Sequence, residues 1–172
     1  MGQNTILGSD YRVRWTDLIS FLVLGLVAYL PFLDAAPLFD WDEINFAESA
    51  REMLVTGDYF QVRINYEPFW EKPPLFFWMQ VLAMKMFGVG DFAARFPNAI
   101  IGAITLASLC YYGTRMQGRL FGRLLAAFYF VSILPFIYFK SGIIDPTFNF
   151  FIFLSLIQIL RYEIGQRTKN DP

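Results

Sequence analysis

The fold this sequence predicts is an all-α membrane protein with about four transmembrane helices, and three observations lead there. Of its 172 residues, 56% are apolar and 19% aromatic while only 17% are charged, a balance richer in apolar residues and poorer in charge than soluble domains show. The apolar residues gather into long runs at 15–32, 96–112, 124–139 and 146–160. Each run is about long enough to cross a bilayer once flanking aromatics and snorkelling Arg or Lys are counted. The acids gather as well. Eight of the fifteen (Asp40, Asp42, Glu43, Glu48, Glu52, Asp58, Glu67 and Glu71) fall within residues 40–74, and Asp34 just precedes them.

Composition also excludes some chemistry. A net charge of −1, with basic residues spread along the chain, gives no reason to expect a nucleic-acid partner. The single cysteine, Cys110, lies in an apolar run and has no second cysteine to pair with. Histidine is absent, which removes Ser/His and Cys/His catalytic pairs and imidazole metal ligands. Acid or base chemistry must come from carboxylates, Lys or Tyr.

The first span covers about residues 15–32, interrupted only by Thr16, Asp17 and Ser20. Arg12 and Arg14 before it suggest a signal peptide as the rival reading, but Asp34 and Pro37 make a poor cleavage site. An external loop of about 33–92 follows, and two amphipathic juxtamembrane helices are expected in it. In the first, Phe46, Ala50, Met53 and Leu54 recur at helical spacing with Glu48, Ser49, Arg51 and Glu52 between them, and Gly57 ends it. Residues 59–66 then alternate loosely, as an extended segment does. The second helix, 75–87, is too short to span and is expected at the bilayer interface, started by Pro73 and Pro74 and stopped by Gly88. The remaining spans fall at about 93–114, 120–139 and 146–162. Ala99, Ala103 and Ala107 repeat every four residues; they either admit a neighbouring helix closely or belong to an ordinary Ala-rich helix.

Orientation follows from the loops. Arg12, Arg14, Arg115, Arg119, Arg123, Arg161, Arg167 and Lys169, eight of fourteen basic residues, fall on one side of a four-span arrangement. The positive-inside rule makes that side cytoplasmic. The acidic loop and residues 140–145 then share the opposite compartment.

Asp42 and Glu43 open the first amphipathic helix, with Asp40 at a capping position and Glu43 three residues on, and acids there are stabilising without any catalytic role. Asp145-Pro146 is likewise a good helix start. Against caps alone stands their setting, because polar residues at a membrane surface tend to line ligand paths.

The run Asp42-Glu43-Ile44-Asn45-Phe46-Ala47, continuing through Ala50-Arg51-Glu52-Met53-Leu54 and Gly57-Asp58, then Glu67-Pro68, Glu71-Lys72-Pro73-Pro74-Leu75 and Ala94-Arg95-Phe96-Pro97-Asn98-Ala99, resembles the N-terminal part of the polyprenyl-phosphate-dependent GT-C glycosyltransferases. Within these it is most similar to the lipid A aminoarabinose transferase family, with protein O-mannosyltransferases more distant. The resemblance implies a GT-C type fold, a multi-pass protein of the bacterial inner membrane, and a longer chain of which residues 1–172 would be the N-terminal transmembrane part. It also implies a polyprenyl-phosphate-sugar donor and a lipid or protein acceptor. By motif it assigns Asp42 and Asp145 to the catalytic site, Glu43 to the acidic pair, and Lys72 to the donor phosphate. Asn45-Phe46 stand where many members have Arg-Tyr, so Arg63 or Lys140 would have to supply a second cation at the phosphate.

The chemistry is consistent with those roles. A sugar leaving a lipid phosphate departs as a phosphate monoester, far less basic than an alkoxide, so the acid that glycosidases use is not needed. One carboxylate base, Asp42, suffices to take the acceptor's proton. Lys72, and a divalent cation if Glu43 holds one with Asp42 and Asp145, would offset charge on the departing phosphate. Two other functions fit the same acids: a transporter or lipid flippase using Asp42 and Asp145, or a structural membrane module. Neither accounts for Lys72, two prolines and an acidic amphipathic helix in one loop.

Overall fold

The computed structural model describes residues 11–39 and 41–170. The capping position Asp40 lies outside them, as do the side chains of Arg167 and Lys169. The described residues form seven helices and one short hairpin, in order α1 (Trp15–Tyr29), α2 (Asp42–Thr56), β1 (Arg63–Ile64), β2 (Glu67–Pro68), α3 (Leu75–Phe87), α4 (Asp91–Gln117), α5 (Arg119–Val131), α6 (Ile133–Phe139) and α7 (Asp145–Asn170).

The longest helix, α4, is the centre against which α1, α3 and α5 pack. Small residues set how closely they approach. A Cβ on Gly25 of α1 would lie 2.6 Å from the Ala103 Cα, and one on Gly113 would lie 2.9 Å from the Gly122 Cα of α5. Ala99 and Ala103 are fully buried, so at those two positions the alanine repeat does serve close packing. At the basic end, Asp17 of α1 accepts hydrogen bonds from Arg119 at 2.6 Å and Arg123 at 2.7 Å.

Of the described helices only α4 is by itself long and apolar enough to cross a bilayer, where about four spans are expected. α1 stops after 15 residues, about 22 Å at the helical rise and short of the ~30 Å hydrocarbon core. Leu30 keeps helical dihedrals and donates to the Leu26 carbonyl, but Pro31 has no N–H to continue the ladder and its ring would crowd the Val27 carbonyl, so the helix ends there. The expected span 120–139 is not one straight helix: α5 and α6 reach spanning length together but meet at a 72° bend. Pro135 explains the break, since its ring would clash with the Val131 carbonyl in a continuous helix, whereas in the first turn of α6 its missing N–H costs nothing. On α7, Phe148, Ile152, Leu156 and Ile159 form an exposed apolar stripe, a surface suited to lipid.

In the loop, α2 ends at Gly57 in the left-handed conformation and α3 runs from Leu75 to Phe87, as the sequence predicts. Phe46, Met53, Phe76, Phe77 and Ala94 join α2, α3 and α4 in one apolar core. Two readings change. Glu52 and Ser49, assigned to the polar face, are buried: the Glu52 carboxylate accepts the Tyr66 N–H at 3.0 Å, and Ser49 Oγ donates to the Asn45 carbonyl. Residues 59–66 lead into a hairpin rather than one extended segment, turning at Asn65 and Tyr66, both at positive φ, which matches the twist of a two-residue turn.

Candidate active site

Trp41 occupies the N-cap of α2 with φ 72°, and its side chain makes no capping hydrogen bond. Glu43 does the reaching back instead, accepting the Phe39 N–H at 2.6 Å, much as a capping-box acid does. Adjacent helical residues point about 100° apart, and the acidic pair divides accordingly. Glu43 is 1% exposed while Asp42 is exposed.

Buried Glu43 meets Arg95 of α4 side-on, with Nε to Oε1 and Nη2 to Oε2 both at 2.8 Å. The other guanidinium bonds go to the carbonyls of Leu33, Ala36 and Pro37 at 2.6–2.9 Å. These five bonds match the five donors of the guanidinium. Glu43 Oε1 also accepts the Gly142 N–H, while Gln80 of α3 donates to the Ala94 carbonyl at 3.0 Å. One buried ion pair thus joins the chain before α2, the start of α2, α4 and the segment before α7. There is little spare room: a Cβ on Gly142 would lie 3.2 Å from the Glu43 Cγ.

Burial by itself would raise the Glu43 pKa, but the hydrogen bonds from Arg95, Phe39 and Gly142 outweigh it and hold the carboxyl below the ordinary glutamate value. A carboxylate with both oxygens so engaged does not fit a divalent-cation ligand. Among the described residues, no three acids, cysteines or histidines converge, so Asp42, Glu43 and Asp145 do not form a metal cage here.

The remaining predicted residues fall in two groups. Asp145 is exposed in the first turn of α7, three residues beyond the Gly142 that Glu43 holds. Lys140 is half-buried; its Nζ donates to the Pro31 carbonyl at 2.6 Å and lies over the Phe136 ring. Burial lowers its pKa from the usual lysine value. Asp42, Lys140 and Asp145 therefore stand on segments tied to one another. Arg63 is engaged elsewhere, with Asp58 at 2.9 Å and Gln61 at 3.0 Å. Lys72 is half-buried just before α3 and forms no hydrogen bond or ion pair among the described residues. The residues given no role from sequence are Arg95 and Asn98. Their signal was present as an arginine and an asparagine three apart, on one face of an otherwise apolar helix.

The sequence profile described as dolichyl-phosphate-mannose-protein mannosyltransferase matches residues 71–170, more than half of the chain. The chain belongs to this mannosyltransferase family. An undecaprenyl phosphate-alpha-4-amino-4-deoxy-L-arabinose arabinosyl transferase 2 of Sodalis glossinidius is 30% identical over 74% of this chain and 24% of its own length. The crystal structure of ArnT from Cupriavidus metallidurans bound to undecaprenyl phosphate superposes with a TM-score of 0.64 at 28% identity, over 78% of this chain and 25% of that one. Its apo form gives 0.63 at 29% identity, over 76% and 24%. The GT-C type fold expected from the motifs is the fold of these neighbours, and the chain spans about a quarter of the length of such relatives.

Glu43→Gln leaves the Arg95 charge buried without its counter-charge and is expected to cost about 3–5 kcal/mol. Because the Glu43 pKa is depressed on folding, its contribution is complete above the ordinary glutamate value of about 4.3 and is lost as pH falls through the folded value. Denaturation curves in detergent at pH 7 and pH 3 check both points: the wild type should lose more stability on acidification than the Gln variant does.

Proposed function

We propose that this chain forms the acidic, carrier-facing part of a membrane glycosyltransferase that moves a sugar from a polyprenyl phosphate to a lipid or protein acceptor, with Asp42 as general base. The observation that carries the proposal is the division of labour in the acidic pair. Glu43 is locked by Arg95 and by the Gly142 N–H, so the start of α2 is rigid while the neighbouring Asp42 stays exposed. A base held on a rigid element and open to an acceptor hydroxyl or amine is what proton abstraction requires. The names and bound ligand of the relatives support a polyprenyl-phosphate donor. Lys140 and Lys72 are the cations suited to the departing phosphate, Lys140 being on the segment tied to Glu43 and Lys72 having no competing partner among the described residues. Asp145, exposed at the start of α7, is suited to orient the acceptor or the sugar.

With Asp42 as base, the acceptor oxygen or nitrogen attacks the anomeric carbon as its proton passes to the Asp42 carboxylate. The bond from that carbon to the phosphate oxygen breaks, and the phosphate monoester leaves with the electron pair. Nearby ammonium groups offset the new charge. In the complete gene product, Asp42→Asn keeps size and can accept a backbone hydrogen bond but not a proton, so transfer should fall by about two to four powers of ten with the melting curve unchanged. Lys72→Met should weaken use of the donor and spare membrane insertion. Transfer of labelled sugar from purified protein measures both, and near wild-type transfer by Asp42→Asn rejects the base assignment.

The loop carrying these residues faces the periplasm or exterior of a bacterial inner membrane, a reading supported by the basic residues Arg115, Arg119 and Arg123 around the turn between α4 and α5. A cysteine at Asp58 should react with an impermeant thiol reagent in intact cells and one at Gly118 should not; equal labelling contradicts this orientation.

A further inference from the structure

Asn98 lies on α4 one turn beyond Arg95 and is fully buried. Its Nδ2 donates to the carbonyls of Ser141 at 2.7 Å and Ile143 at 2.6 Å, and its Oδ1 accepts the Thr147 hydroxyl at 2.9 Å. Both amide donors and one acceptor site are therefore used. The three partners bracket Asp145, two before it and one after, whereas Asp145 itself is exposed. Arg95 meanwhile holds Glu43, the neighbour of Asp42. A single turn of α4 thus carries one anchor for each of the two acidic elements, and the Gly142 peptide between the Asn98-bound carbonyls donates to Glu43.

From this arrangement we infer that Asn98 is a positioning residue of the transfer site: it fixes the 141–147 segment, and with it Asp145, in register with Asp42. The inference rests on the reading of Asp42 and Asp145 as site residues. Asn98 touches neither carboxylate and acts through the Ser141, Ile143 and Thr147 contacts. Loss of the amide leaves two buried carbonyls without donors and frees the segment to shift, and a displacement of about 1 Å at a reacting group can cost about 10²-fold in rate.

The test uses the complete gene product in lipid nanodiscs, with spin labels on cysteines introduced at the exposed positions Val55 and Phe148; the native Cys110 is buried. The wild type should give one narrow distance distribution between α2 and α7. Asn98→Ala should broaden or shift it. Thr147→Val, which keeps shape and removes one hydroxyl, should do so less, and Thr147→Ser should restore the wild-type distribution. With undecaprenyl-phosphate-linked 4-amino-4-deoxy-L-arabinose as donor, kcat per folded molecule should fall about 10²-fold for Asn98→Ala while KM stays within about twofold. If Asn98→Ala does not fold, the Thr147→Val and Thr147→Ser distances decide. An unchanged distribution in folded Asn98→Ala, or identical distributions for the two Thr147 variants, overturns the inference. Distances are read without turnover, so they fail or hold apart from the base assignment, which Asp42→Asn tests.

Discussion

The buried pair of Glu43 and Arg95 is the constraint on which the end of this protein around the start of α4 depends. Two charges taken out of water each carry a desolvation cost of several kcal/mol, and their mutual attraction offsets it only when geometry is good and the remaining donors and acceptors are met. Here the geometry is side-on, every guanidinium donor has an acceptor, and the Glu43 oxygens also receive two backbone N–H groups. Such a pair tolerates little displacement. Residues 33–39 with the adjoining start of α2, the first turns of α4 and 141–143 are therefore held as one body.

That rigidity is what gives the exposed residues their meaning. Asp42 and Asp145 make none of the bonds that hold the end together, yet each sits within a few residues of one that does. Buried polar groups specify position, and under the proposed function the exposed ones are left for chemistry. The apolar core beneath, where Phe46 packs edge-on against Phe77 at 5.6 Å between ring centroids, keeps α2 and α3 against α4, and buried Gln80 of α3 donates to the Ala94 carbonyl beside it. The opposite end uses the same device, with Asp17 gathering Arg119 and Arg123 between α1 and α5.

How much of this was legible in the residues depends on the range of the cause. Helix ends set by local backbone preference were readable: Gly57 and Gly88 stop α2 and α3, and the prolines start α3. The motif run led to the family. The 72° bend before Pro135 was less visible, because an apolar run with one proline toward its C-terminal end reads as a single span until the clash with Val131 is considered. Glu52 and Ser49 were misread because helical periodicity ranks residues by polarity, whereas these two are buried with hydrogen bonds made, one to the hairpin and one to its own helix. Glu43 was readable as an acid that stabilises the start of α2. Its partner was not, since nothing local links position 43 to position 95, or position 98 to 141–147.

The most direct test of the central claim is a cryo-electron microscopy structure of the complete gene product with undecaprenyl phosphate bound. Glu43 should remain side-on to Arg95, with the phosphate beside Lys140 or Lys72 and Asp42 facing the space next to that phosphate. A phosphate bound at the opposite end of α4, or Glu43 turned away from Arg95 toward the carrier with Asp42 remote from it, would contradict the account.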